Sequence, residues 1–181
     1  MRNTYTDPSE YAISTWMLEA FDLRTALSMI ARKGFQAVEL WGNATHLDPR
    51  VRPPIAEVRF WMKQYGLTAH SVHAPFRHHL FPHPADAAEF RSYRMEMMRQ
   101  MIEACAELGA PILVVHPLDR REYNHAPSEA GEIADFLHAL CQYAGPLGVT
   151  IAVENLTGSS DAKGNADELE CTLENLIRLF S

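Results

Sequence analysis

The chain has 181 residues, of which 47% are hydrophobic and 22% charged, and its formal net charge is −7 with the nine histidines taken as neutral. This is the composition of one soluble globular domain with a sizeable core. Basic residues cluster only in short pairs such as Arg120-Arg121, which argues against nucleic acid as a partner. The sequence contains neither an apolar window long enough to span a membrane nor a secretory leader, so we expect a cytoplasmic protein.

Three cysteines lie far apart in segments with helical periodicity: Cys105, Cys141 and Cys171. A disulfide framework or a structural zinc site would need closer, paired spacing. We therefore expect reduced thiols without a catalytic role, because the sequence places no basic activator beside them.

Strand-like and helix-like segments alternate along the chain. Apolar runs predict strands at 11–17, 35–41, 67–73, 112–115 and 149–154. Helical periodicity predicts helices at 23–33, 53–65, 86–108, 128–144 and 165–180. Asp22 is a good N-cap for the first helix, and Asn165 with Glu168 resembles a capping box for the last.

Five strands alternating with five helices predict parallel pairing through right-handed crossovers, and therefore an α/β fold. A doubly wound sheet would place a glycine-rich phosphate loop after the first strand, but residues 15–19 contain no glycine. A closed barrel instead gathers the carboxyl ends of its strands at one mouth, which suits the polar strand ends of this chain. We therefore predict a (β/α)₈ TIM barrel of which this single domain, residues 1–181, carries about the first five βα units.

Polar side chains at neighbouring strand ends predict a metal site. The third and fourth predicted strands lead to His73 and His116, and the fifth ends at Glu154. Two imidazole nitrogens and a carboxylate oxygen form a suitable ligand set for a divalent metal. A cation or a basic partner is also expected at Glu154, because a carboxylate following an apolar strand would be costly to bury alone.

The direction of Glu154 needs a separate argument. His73 and His116 each lie seven residues after a helix-ending glycine, whereas Glu154 lies six residues after Gly148. A shift of one residue turns a strand side chain to the opposite face of the sheet. The larger Ile151 and Val153 nevertheless suit the helix-facing side, so we expect Glu154 to point into the barrel.

Four short motifs resemble those of one known family, the sugar phosphate isomerase/epimerase group of xylose isomerase-like TIM barrels. They are Val38-Glu39-Leu40-Trp41, Val72-His73-Ala74-Pro75, Val115-His116-Pro117 and Val153-Glu154-Asn155-Leu156. The resemblance implies a divalent metal (Mn, Mg, Co or Zn) that holds adjacent oxygens of a sugar or polyol while carboxylates move a proton between neighbouring carbons. Glu154 then corresponds to the metal-binding and catalytic glutamate of the fifth strand. His73 and His116 correspond to third- and fourth-strand histidines that bind zinc in the related endonuclease IV branch and line the pocket in many isomerase-like members.

The chain also departs from that family. The remaining family ligands come from strands six to eight, which the predicted elements do not include, and a complete barrel takes about 250 residues. We therefore expect a fragment truncated in or just after the fifth helix, with an incomplete site and no turnover by itself. Open strand edges at such a fragment would favour homo-oligomers.

Other polar residues near the strand ends have two interpretations each. Glu39, Trp41 and Asn155 are predicted to contact the substrate. Glu39 could instead form a salt bridge with an interior Arg or Lys, and Trp41 could simply pack in the core. The histidines of the metal site could be hydrogen-bonded strand-end residues without a metal. A further group, His78, His79 and His83, is expected to be a solvated loop.

Three functions are compatible with these residues. The first is a metal-dependent isomerase or epimerase of a small sugar or polyol. The second is zinc-dependent hydrolysis of abasic DNA, which the two histidines favour. The acidic charge opposes it, as does the segment after Glu154, which lacks the Ala-Gly-Gln run of the endonuclease branch. The third is a non-catalytic partial barrel that acts as a binding module.

Overall fold

A computed structural model describes residues 7–43, 46–48, 53–75, 87–116 and 130–154. It contains a parallel sheet in which each strand pairs with the next strand of the chain, in the order β1-β2-β3-β4-β5. The strands are β1 (Ala12–Ser14), β2 (Ala37–Trp41), β3 (Thr68–His73), β4 (Ile112–Val115) and β5 (Thr150–Val153). Helices separate them: α1 (Leu23–Arg32), α2 (Ile55–Tyr65), α3 (Ala87–Leu108) and α4 (Ala130–Ala144).

This sequential order is that of a βα barrel and differs from that of a doubly wound sheet, in which the strand order reverses at a switch point. The prediction of a partial TIM barrel is therefore confirmed. Every helix in the described ranges is too short or too polar to cross a membrane.

Local signals set the ends of the helices. The Asp22 carboxylate accepts a hydrogen bond from the Thr25 backbone N–H at 2.9 Å and so caps α1. Gly66 ends α2 with φ of 67°, a left-handed conformation that a residue with a Cβ rarely adopts. The predicted helix ends therefore agree with the structure to within two residues for α1, α2, α3 and α4.

The two faces of the sheet carry different chemistry. Side chains facing the helices are apolar and fully buried, and they form the core with α1 to α4: Val38, Leu40, Val72, Leu113 and Val115. The opposite face, which is the interior of the barrel, carries the polar residues that the next section describes. The hydrophobic core therefore packs against the helix-facing side of the sheet, while the candidate site lies on the opposite, interior face.

A bulge in β3 decides which of its residues face inward. Val38 of β2 is opposite Ala69, but the next residue, Glu39, is opposite Ser71, so His70 is an extra residue. Without it, the alternation of side chains would turn Ser71 toward the helices. The bulge therefore places Ser71 beside Glu39, on the interior face.

The first strand is shorter than predicted. The sequence predicts a strand over 11–17, but β1 ends at Ser14, and Thr15–Leu18 form a 3₁₀ turn. The Ser14 hydroxyl accepts a hydrogen bond from the Trp16 backbone N–H at 3.3 Å, which favours the turn over a longer strand.

Several predicted features lie outside the described residues. They are the helix at 165–180 with its capping box, the substrate contact Asn155, and the loop that contains His78, His79 and His83. These features stay predictions.

Candidate metal centre

Three predicted ligands meet at the carboxyl ends of β3, β4 and β5. His73 Nε2 lies 3.2 Å from His116 Nε2 and 3.3 Å from Glu154 Oε2. His116 Nε2 lies 2.7 Å from the same Glu154 oxygen. Glu154 therefore points into the barrel, as the sizes of its strand neighbours predict, and the two nitrogens and one oxygen form a compact triangle.

The triangle has the dimensions of a metal-binding face. Zinc bonds to nitrogen and oxygen of about 2.0–2.1 Å place the ligand atoms of a tetrahedron roughly 3.3–3.4 Å apart. Two edges of the triangle, 3.2 and 3.3 Å, agree with that spacing. The third, 2.7 Å, is a hydrogen bond between His116 and Glu154, which would lengthen when an ion replaces its proton. The residues present therefore fit a divalent metal.

The burial of the three side chains is uneven. The side chains of His73 and His116 are 11% and 5% exposed, whereas that of Glu154 is 44% exposed. The expectation of a desolvated carboxylate at Glu154 is therefore wrong, because the residue follows the last residue of β5 at the mouth of the barrel. Among the described residues its partners are two imidazoles rather than an arginine or a lysine, and its exposure leaves it accessible to a ligand.

Glu39 lies one layer below the triangle. Its Oε2 accepts a hydrogen bond from Ser71 Oγ at 3.0 Å, and its Oε1 lies 3.5 Å from His73 Nδ1. Burial alone would raise the pKa of Glu39, but the contacts with His73, Ser14 and Ser71 outweigh burial and hold the pKa below its usual range. The carboxylate is therefore ionised at neutral pH. The side chain that faces its Oε1 in the described part of the chain is a histidine, where the sequence suggested a substrate or a basic residue.

Aromatic rings line the wall beside His73. The Trp41 ring contacts the His73 ring edge-on at 5.0 Å between centroids and the Trp16 ring at 5.7 Å. Trp41 is only 2% exposed, which favours its packing interpretation, whereas Trp16 is 46% exposed. Trp16 was not among the predicted site residues. It lies in the 3₁₀ turn that follows β1, so the alternation of strand faces gave no signal for its position.

A buried hydrogen-bond chain joins the ends of β1 and β2. The Thr15 hydroxyl accepts from the Trp41 backbone N–H at 2.9 Å and lies 3.1 Å from His46 Nδ1. His46 Nε2 lies 3.0 Å from the Phe21 carbonyl, which can only accept, so Nε2 carries the proton and Thr15 donates to Nδ1. Burial lowers the pKa of His46, which favours this neutral form. No sequence pattern indicated this contact.

Two further residues hold the backbone of the histidines. The Arg94 guanidinium, from α3, donates to the His116 carbonyl at 3.0 Å and covers the Phe136 ring at 4.0 Å. The Gly42 backbone N–H donates to the His73 carbonyl at 2.8 Å. These contacts connect the ligand-bearing strand ends to their neighbours, and neither was predicted.

The ligand triangle opens into a cavity of about 480 Å³, within the range of small-molecule sites. Its lining combines two carboxylates, two imidazoles and two indoles with smaller groups: Ser14, Trp16, Glu39, Trp41, His73, Val114, His116 and Glu154. Five of the six predicted site residues therefore share one cavity; the sixth, Asn155, lies outside the described ranges.

A family model described as xylose isomerase-like TIM barrel matches residues 27–181. The chain belongs to the xylose isomerase-like TIM barrel family. No curated protein matches this xylose isomerase-like chain significantly.

Solved structures of sugar epimerases share the fold of this xylose isomerase-like barrel. A D-tagatose 3-epimerase-like protein is 23% identical with a TM-score of 0.62, over 82% of this chain and 53% of that one. D-Allulose 3-epimerase from Methylomonas sp. is 18% identical with a TM-score of 0.63, over 93% and 57%. The 3-keto-D-glucoside 4-epimerase of E. coli is 20% identical with a TM-score of 0.58, over 88% and 58%. The chain thus spans somewhat more than half the length of these structures, and at these identities the likeness shows the fold.

Proposed function

We propose that this protein is a metal-dependent isomerase or epimerase that acts on a small hydroxylated carbonyl substrate, a sugar or a sugar phosphate. The observation that carries the proposal is the triangle of His73, His116 and Glu154 at the mouth of a sugar-sized cavity. The family and the sugar epimerases that share its fold support the same reaction class.

The proposed chemistry assigns a role to each group. His73, His116 and Glu154 would hold a divalent ion, which when bound would supply Lewis-acid polarisation of a carbonyl and its neighbouring hydroxyl. Glu154 is the more exposed of the two carboxylates that line the cavity, at 44% against 24% for Glu39. We therefore assign the transfer of the α-proton to Glu154, because a base must reach the substrate carbon. The exposed Trp16 indole offers an apolar face on which the C–H side of a sugar can stack.

The donor set also narrows the choice of metal. Two imidazole nitrogens and one carboxylate oxygen suit manganese, cobalt or zinc better than magnesium, which prefers oxygen ligands and retains several waters. We propose a transition metal or zinc at this centre.

Metal binding by the chain tests the proposal directly. The metal-stripped protein is titrated with Co²⁺ and Zn²⁺ against a chelator of known affinity, alongside Glu154→Gln. The amide keeps the volume and one acceptor oxygen but loses the charge, so we expect metal affinity to fall by at least tenfold with the fold unchanged. Glu107→Gln, at an exposed position of α3, is the control and should bind like the wild type.

Reaction class is tested with the metal-loaded protein. Candidate ketoses are incubated in D₂O, and deuterium at the carbon beside the carbonyl is followed by NMR. Exchange needs only removal of the α-proton and not the complete turnover that this chain is expected to lack, so we expect exchange that depends on metal and is lost in Glu154→Gln. A wild-type chain that binds neither metal, or one that binds metal and exchanges no ketose tested, contradicts the proposal.

The His73–His116 pair favours one second candidate, a zinc phosphodiesterase acting at abasic sites in DNA. The net charge of −7 opposes it, because a DNA backbone is bound mainly through positive charge. Metal-dependent cleavage of an abasic duplex without ketose exchange would decide for this alternative.

A further inference from the structure

A row of three polar side chains crosses the inner face of the sheet below the metal centre. Ser14 of β1 is the register partner of Glu39, and Glu39 is the register partner of Ser71 of β3. The Ser71 hydroxyl donates to Glu39 Oε2 at 3.0 Å, and Ser14 also bonds to this carboxylate. Strand pairing therefore fixes the position of the carboxylate from both sides.

The carboxylate held in this row faces one nitrogen of His73. Its Oε1 lies 3.5 Å from His73 Nδ1, while His73 Nε2 faces His116 and Glu154 on the other side of the ring. The edge-on contact with Trp41 at 5.0 Å restricts rotation of the ring. The two nitrogens of His73 thus face different partners: Nδ1 faces the Glu39 carboxylate, and Nε2 faces the candidate metal centre.

This arrangement has a consequence for the proton of His73. A neutral imidazole carries one N–H, and its other nitrogen offers a lone pair. A carboxylate accepts hydrogen bonds and cannot donate one, and a carboxylate faces each nitrogen of the ring: Glu39 at 3.5 Å from Nδ1 and Glu154 at 3.3 Å from Nε2. The Glu154 oxygen already accepts the shorter, 2.7 Å hydrogen bond from His116 Nε2, so Glu39 decides the balance and stabilises the form with the proton on Nδ1. The lone pair then lies on Nε2, the nitrogen that faces the proposed metal.

We propose that Glu39 is a positioning residue that holds His73 with its proton on Nδ1 and its Nε2 lone pair directed at the metal centre. The effect on metal binding rests on the function proposed above, but the tautomer of His73 does not. Carboxylates that orient metal-binding histidines typically change metal affinity by about 10- to 100-fold when removed.

Two measurements on the full chain test the proposal. Long-range ¹H–¹⁵N NMR of the metal-free protein reports which nitrogen of His73 is protonated, with His73→Gln used to assign the signal. Titration with Co²⁺ and Zn²⁺ reports affinity. We expect the wild type to carry the proton on Nδ1, Glu39→Ala to shift it toward Nε2, and Glu39→Ala to lose about 10- to 100-fold in affinity.

Two more variants separate charge from geometry. Glu39→Gln keeps an acceptor for the Nδ1 proton, so we expect it to preserve the tautomer and to lose less affinity than Glu39→Ala. Glu107→Gln removes a carboxylate from the exposed side of α3 and should change neither measurement. If Glu39→Ala does not fold, the tautomer of the wild type decides alone: a His73 proton on Nδ1 supports the proposal, and a proton on Nε2 overturns it.

The outcomes distinguish this proposal from the one on which it rests. An unchanged tautomer in folded Glu39→Ala overturns the positioning role, and so does a shifted tautomer with unchanged metal affinity. A wild-type chain that binds no metal refutes the proposed function, while the NMR comparison still decides whether Glu39 controls the proton of His73.

Discussion

Replacing Gly42 with alanine should separate the ends of β2 and β3 directly beneath the metal centre. An added Cβ would lie 2.4 Å from the His73 carbonyl oxygen, 2.9 Å from Met101 Cε and 3.2 Å from Pro75 Cδ. The methionine end can rotate away, but the His73 oxygen belongs to the backbone of a paired strand. The strain must therefore be relieved by moving the strand ends apart.

The size of the effect follows from these distances. Restoring an ordinary carbon–oxygen contact needs roughly 1 Å of movement, which would stretch the 2.8 Å hydrogen bond from the Gly42 N–H to the His73 carbonyl beyond bonding range. Losing that bond costs about 0.5–1.5 kcal/mol, and overpacking a tight site costs about 1–3 kcal/mol more. We expect the free energy of unfolding to fall by about 2–4 kcal/mol. Metal affinity should also fall, because the His73 ring moves with its backbone.

Urea unfolding followed by circular dichroism measures the first effect, and chelator competition measures the second. The matched control is Gly131→Ala on α4, where an added Cβ meets no atom within 4 Å. That substitution should stabilise the protein by up to about 1 kcal/mol, because alanine favours helix over glycine. A Gly42→Ala protein as stable as the wild type, with unchanged metal affinity, would refute the argument from close approach.

Three further predictions concern groups away from the metal. Asp22→Ala should lower the free energy of unfolding in urea by about 1 kcal/mol, because α1 loses the cap that Asp22 forms with Thr25. The hydrogen bonds from Thr25 lower the pKa of Asp22, so this contribution is present above pH 3.8 and is lost as the pH falls further. Burial lowers the pKa of His46 below 6.5, so on acidification the imidazole is protonated in the unfolded chain before it is protonated in the folded protein. Stability should therefore fall as the pH drops through 6.5, and it should fall less in His46→Gln. Thermal unfolding at pH 7.5 and 5.5 measures the difference. Burial raises the pKa of Cys105 to about 12. A thiol reagent at pH 8 should therefore label the exposed Cys141 in the native protein and leave Cys105 unmodified until urea is added. Fast labelling of Cys105 in the native protein would contradict its burial.

Much of the fold could be predicted because its signals are local. The cap at Asp22 and the helix stop at Gly66 depend on residues within one turn, and the structure has both where they were predicted. The alternation of strands and helices then restricts the topology, since parallel neighbours need a crossover connection. The first strand was predicted too long because a side-chain contact of Ser14 to the following backbone ends it early.

The meeting of the three candidate metal ligands was predictable for a related reason. Parallel strands joined by crossover helices bring their carboxyl ends to one mouth, so His73, His116 and Glu154 could be expected to meet without knowledge of any distance. The equal spacing from the preceding glycines says nothing about the relative heights of the two histidines. The structure pairs His73 with Val114, so His116 lies two residues further along its strand. The stagger between two strands is a property of the sheet, and the sequence of neither strand alone determines it.

The surroundings of the ligands were decided only by the tertiary structure. The bulge at His70, which turns Ser71 toward Glu39, arises between two strands about thirty residues apart, and neither strand shows it alone. The contacts of Arg94 with the His116 carbonyl and of His46 with Thr15 likewise join distant segments. Sequence periodicity reports which face a side chain occupies along its own element. The side chain that it contacts on another element depends on the register and packing between the two elements. For this reason the candidate ligands could be predicted, while the residues that contact and position them could not.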